Sequence, residues 1–150
     1  MTSYITDALF EKDADGEFQD IWISHLSKTE YIDFYNFALR STAPDLETYP
    51  DSLRNDDELY EFSCSLSPLV FDGEQFPDVT IRIQNLEVAI DFDTGLNLWP
   101  RIKQSAFIAW LAELRSHFPA AQFWWTLANA QFAPDTERTA LLRYAMLNSS

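Results

Sequence analysis

Apolar and polar positions change period several times along the chain, and each change marks an element. Residues 4–10 and 18–26 flank Asp13-Ala14-Asp15-Gly16, whose Asp-Gly end is a hairpin-turn signal. These two runs are expected to pair as a β-hairpin. At Ser27-Lys28-Thr29-Glu30 the period becomes helical, because Ser-x-x-Glu is the form of a capping box. Tyr31, Phe34, Tyr35 and Ala38 then follow at the spacing of one helix face. Phe37 falls off that face, so a ring is expected outside the core there. Residues 43–55, with Pro44 and Pro50, read as a loop.

A strand region comes next. Residues 58–66 alternate, and Pro68 and Pro77 punctuate an acidic loop. Residues 79–83 and 88–92 alternate or run apolar around a tight Gln84-Asn85 link, which predicts a second hairpin. Beyond Pro100 the helical period returns. Phe107, Trp110, Leu111 and Leu114 define an amphipathic helix that ends before Pro119. Residues 122–127 read as a buried strand. Asp135 is placed as the N-cap of a last helix carrying Leu141, Leu142, Ala145 and Met146. With no internal repeat and no linker, residues 1–150 are expected to form one α+β domain. Its sheet is mostly antiparallel, with about three helices.

Composition narrows the class. At 150 residues and 47% hydrophobic, the chain buries a core without help from a disulfide or metal. Its one cysteine, Cys64, excludes an internal disulfide and reads as a buried, inert thiol. The longest apolar run, residues 106–112, is far short of the ~20 residues a membrane helix requires. Residues 1–10 lack the basic and apolar blocks of a secretory signal, so a cytoplasmic protein with no membrane partner is expected.

Charge changes the picture most. The formal charge is -14, and it is unevenly spread. Residues 1–93 hold 21 acids against 5 bases, a formal -16, whereas residues 94–150 hold 3 acids against 5 bases, a formal +2. Such a field repels nucleic acid and attracts basic proteins. Three acidic clusters stand out: Glu11, Asp13, Asp15 and Glu17; Asp56, Asp57, Glu58 and Glu61; and Asp72, Glu74 and Asp78. Rings interleave with the carboxylates at Asp57-Glu58-Leu59-Tyr60-Glu61-Phe62, a mixture suited to an interface anchor.

Candidate chemistry is sparse. Ile90-Asp91-Phe92-Asp93-Thr94-Gly95-Leu96-Asn97-Leu98-Trp99 resembles the active-site strand of pepsin-like aspartic proteases. That resemblance implies that Asp93 shares a proton with a second carboxylate across a water. The serine pair after the glycine is missing, no second Asp-Thr-Gly or Asp-Ser-Gly exists, and no glycine follows Gly95. The segment is therefore read as a strand ending in a turn before a helix. Asp91 and Asp93 form an Asp-x-Asp for which the sequence nominates no further metal ligand. His25 and His117 are the only histidines, and Glu113 and His117 have the spacing of a surface helix pair. No cofactor motif or nucleophile motif is present.

A non-catalytic acidic inhibitor is expected, specifically an immunity protein that occludes the active site of a basic, nuclease-like toxin. Its partner-binding residues are expected at Asp56, Asp57, Glu58, Tyr60 and Glu61, with Asp13, Asp15 and Glu17 as a second patch. The alternative is a DNA mimic that blocks a DNA-binding enzyme or nucleoid protein. Carboxylates on alternate strand positions lie ~6.6 Å apart, close to the spacing of neighbouring phosphates.

Overall fold

Alternating residues in four strands supply one apolar face, and that face organises the molecule. The structure, a computed structural model, describes residues 6–10, 19–41, 63–66, 69–71, 73–76, 79–84, 87–93, 95, 97–127 and 134–148. Among these residues, in chain order, lie α1 (Asp7–Phe10), β1 (Gln19–Ser24), α2 (Lys28–Ser41), β2 (Ser63–Leu66), β3 (Leu69–Phe71) and β4 (Glu74–Phe76). They continue with β5 (Thr80–Gln84), β6 (Glu87–Phe92), α3 (Arg101–His117), β7 (Gln122–Leu127) and α4 (Thr136–Leu147). The main sheet has the order β2-β5-β6-β1-β7, with every neighbour antiparallel. β3 and β4 form a separate two-stranded sheet. The architecture is α+β, as the periodicity implies.

Ile21, Ile23, Ile81, Ile83, Val88, Ile90, Phe92, Phe123 and Trp125 line the apolar face, and all are buried. The helices close over it. Phe34, Tyr35 and Ala38 of α2 and Phe107, Trp110, Leu111 and Leu114 of α3 are fully buried. The capping box at α2 is formed: the Ser27 amide donates to Glu30 Oε1 at 3.0 Å, and the Glu30 amide donates to Ser27 Oγ at 3.2 Å. The Asp135 cap is formed too, with the Arg138 amide donating to Asp135 Oδ1 at 2.9 Å. The β5–β6 hairpin pairs Gln84 with Glu87, so the link is the two residues between them.

Three expectations change. Residues 7–10 are helical, and β1 pairs with β6 and β7 instead of with them. The adjacent Leu9 and Phe10 are both buried, an arrangement a strand with one apolar face does not give and a helical turn does. Buried Gln104 fixes this turn, accepting from Thr6 Oγ1 and donating to Asp7 Oδ1 at 2.8 Å and to the Trp99 carbonyl at 2.9 Å. The stretch read as an acidic loop contains the β3–β4 hairpin, whose pairing of Phe71 with Glu74 leaves a two-residue link ending in Gly73. Gly73 has φ 76°, a left-handed conformation for which glycine is suited. Phe37 is also inside the core, 6.2 Å from Trp110 and 6.4 Å from Phe118 between ring centroids. The buried face of α2 is therefore wider than the stripe read from its spacing.

The outer edge of β7 is closed by α4. The Asp135 amide donates to the Trp125 carbonyl at 2.7 Å. One turn on, Thr139 Oγ1 accepts from the Trp125 amide at 3.0 Å. One turn further, Arg143 Nε donates to the Phe123 carbonyl at 3.2 Å. Residues four apart on one helix face thus replace the missing strand, which removes an exposed pairing edge. Thr139→Val keeps the shape and leaves the buried Trp125 amide unpaired. It is expected to destabilise the fold by ~1–3 kcal/mol in urea melts, whereas Thr139→Ser stays near wild type. Equal stability of the Val and Ser variants would show that the hydroxyl contributes nothing at this edge.

Candidate functional site on the polar face of the sheet

Residues that alternate out of phase with the core strand positions form the second face of the sheet. β1 contributes Asp20, Trp22 and Ser24, β6 Ala89 and Asp91, β5 Arg82, and β7 Trp124 and Thr126. Register brings them together: Asp20 lies between Asp91 and Thr126, and Trp22 between Ala89 and Trp124.

The centre of this face is a carboxyl pair. Arg82 grips Asp91 with two bonds, Nε to Oδ2 at 3.0 Å and Nη2 to Oδ1 at 3.3 Å. Asp20 faces Asp91 across the β1–β6 register. Burial of Asp20 pushes its pKa up to about 7; the hydrogen bond to Asp91 and its negative charge add to this, and Arg82 opposes them. Hydrogen bonding to Asp91 also raises the Arg82 guanidinium above its ordinary value. The Asp20 carboxyl is thus held well above the ordinary carboxylate range.

Two indoles flank it. The Arg82 guanidinium sits 5.7 Å from the Trp22 ring and that of Arg143 4.5 Å from the Trp124 ring, both at cation–π distance. Trp124 Nε1 donates to Ser24 Oγ at 2.8 Å, and Ser24 Oγ lies 2.7 Å from His25 Nδ1. His25 has φ 68°, where the chain leaves β1 for α2. The result is a row of Arg82, Trp22, Trp124 and Arg143 that runs from β5 across β6 and β1 to β7 and on to α4, beside the two carboxyls.

Strand sequences already carry the out-of-phase polar positions of this face. What joins Asp20 to Asp91 and Arg82 is the placing of β1 beside β6, which no local pattern encodes. The residues expected to bind a partner, Asp13, Asp15, Glu17, Asp56, Asp57, Glu58, Tyr60 and Glu61, lie outside the described residues. Of the third acidic cluster, Glu74 is described, at the start of β4. Cys64 falls on β2, opposite Ile83.

Asp93 and Gly95, the described residues of the Asp-Thr-Gly segment, lie between β6 and α3. Trp99 Nε1 donates to the Asp93 carbonyl at 2.7 Å, and the Gly95 carbonyl accepts from the Leu98 and Trp99 amides at 3.0 Å each. The Gly95 amide donates to the Phe10 carbonyl at 2.7 Å. Gly95 has φ 131°, and a Cβ there would sit 3.1 Å from Asn97 Oδ1. Asp93 borders a cavity of about 280 Å³ with Phe76, Trp99 and Lys103, and no second carboxyl lies on its described lining. Asp91 of the Asp-x-Asp is engaged by Arg82, and no group of three potential ligands stands ready for a metal among the described residues. Glu113 and His117 form a half-exposed pair at 4.0 Å. No described helix is long and apolar enough to cross a membrane.

No protein-family model, curated protein or solved structure matches the chain. The site is therefore read from its own chemistry.

The raised value of Asp20 has a signed consequence. From the ordinary Asp value up to about 7, the folded protein holds a proton that the unfolded chain has released. Stability attributable to Asp20 is thus full at acid pH and falls as pH rises through neutrality. Asp20→Asn is expected to lose this dependence and to melt above wild type at pH 8, with the gap shrinking by pH 5. Parallel pH–melting curves for the two proteins would show that Asp20 carries no such proton.

Proposed function

We propose that this chain is a non-catalytic acidic inhibitor, an immunity protein that binds a basic, nuclease-like toxin and occludes its active site. The observation that carries this reading is the charge asymmetry: 21 of the 24 acids fall in residues 1–93. A basic toxin holds a polyanionic substrate with lysines and arginines, and clustered carboxylates compete for those side chains. Complementary charge accelerates encounter and discourages wrong partners, while aromatic anchors in a desolvated centre supply most of the affinity. Asp56, Asp57, Glu58, Tyr60 and Glu61 form the first contact set in this proposal, with Asp13, Asp15 and Glu17 as the second. The half-buried Trp22, opposite Ala89 of β6, adds an aromatic of the same kind to the sheet's polar face.

The test is retention of a partner from lysate of the producing organism, loaded at low salt and eluted by a salt step. The wild-type chain is expected to hold one dominant basic protein through moderate salt. The triple variant Asp57→Lys, Glu58→Lys, Glu61→Lys is expected to weaken that complex by more than about 100-fold, with an unchanged circular-dichroism melt. A ladder of basic proteins that all leave at modest salt would reduce the charge to a generic property. Tight binding retained by the triple variant would remove the assigned contact set.

A further inference from the structure

The chain holds 24 acids and 10 bases, and the described arginines divide by what they face. Among the described residues Arg82, Arg101 and Arg138 pair with Asp91, Asp7 and Asp135 at 3.0, 3.4 and 3.0 Å. Arg40, Arg115 and Arg143 have no such partner there; Arg40 lies over the Phe37 ring, whereas Arg115 and Arg143 line the same cavity of about 350 Å³ between the last turn of α3, the start of β7 and α4. Its apolar lining includes Pro119, Phe123, Met146 and Leu147. A second cavity of about 510 Å³ shares Arg115, Met146 and Leu147 with it and continues along α3 past Ala109 and Ala112. Leu147 remains 66% exposed, a large apolar side chain left at the rim. Both volumes fall in the range of small-ligand pockets, ~300–1,000 Å³.

The arginines are set for an anion. Arg143 is held by its Nε bond to the Phe123 carbonyl and by the Trp124 ring, which leaves both terminal nitrogens without a partner among the described residues. The Arg115 side chain, in the last turn of α3, has no hydrogen bond or ion pair among the described residues. A planar carboxylate matches the fork of a guanidinium held in this way. Glu113 borders the second cavity, so the part of a ligand lying there is uncharged. We propose that this groove binds a small amphipathic carboxylate, with its head at Arg115 and Arg143 and its apolar body along Ala112, Met146 and Leu147. The groove lies in the basic part of the chain, apart from the acidic clusters assigned to a partner, so either assignment can fail alone.

The probe is decanoate, titrated below its micelle-forming concentration while the arginine Nε–H signals are followed by NMR. Saturable shifts are expected at Arg115 and Arg143. Affinity is expected to fall at least about tenfold in Arg115→Met, an exposed position whose replacement leaves the remaining spectrum unchanged. Decanol, with the same body and no charge, and inorganic phosphate, with charge and no body, are each expected to bind at least about tenfold more weakly than decanoate. Absence of saturable shifts, equal binding of decanol or phosphate, or full affinity in Arg115→Met would each overturn the assignment.

Discussion

Phe10 is the residue on which the rest of the structure leans. Its ring stacks on Trp99 at 4.4 Å and meets Phe107 at 6.1 Å and Trp125 at 5.9 Å in edge-on contacts, with Phe92 at 6.2 Å. These rings come from α1, β6, α3, β7 and the turn between β6 and α3. Each pair adds roughly 0.5–1.5 kcal/mol beyond its buried area, so the cluster ties five separate segments into one unit. The backbone repeats the connection, because the Phe10 carbonyl receives the Gly95 amide. Gln104 completes it from below, reaching Thr6, Asp7 and Trp99 at once. A four-residue helix is marginal alone; here the core holds it in place.

This dependence explains which elements the sequence made legible. The α2 capping box, the face of α3, the β5–β6 hairpin and the Asp135 cap each rest on neighbours a few residues apart, and all formed as read. Residues 7–10 depart from the expected strand because their conformation is set by Trp99 and Gln104, about 90 positions away. The β3–β4 hairpin has a local signal in Asp72-Gly73, set among acids and prolines that read equally as a loop. Phe37 shows the opposite limit: its burial follows from α3 packing against α2, which no helical stripe records. For the polar face, alternation marked Asp20, Asp91 and Arg82 as out of phase with the core. Their meeting depended on strand order.

The polar face and the arginine groove are linked through one side chain. Arg143 lies against Trp124 on the polar face and binds the Phe123 carbonyl at the edge of β7. It also lines the groove between α3 and α4. A pull on its guanidinium in the groove would be felt by the indole, and through Trp124 Nε1 by Ser24 on the central strand. Charge, edge closure and packing thus converge on a position whose spacing alone suggests only an exposed helix residue.

The placing of β1 has a consequence for how the chain is made. β1 comes first among the described strands, yet it fills the slot between β6 and β7, whose residues lie some 65 and 100 positions later. During synthesis Ile21 and Trp22 leave the ribosome long before either neighbour exists. The sheet cannot close until residue 127 has emerged, so the early strand waits as an unpaired, apolar segment. The acids crowded into the first 93 residues emerge with it. Like charge on neighbouring chains opposes their association during that wait.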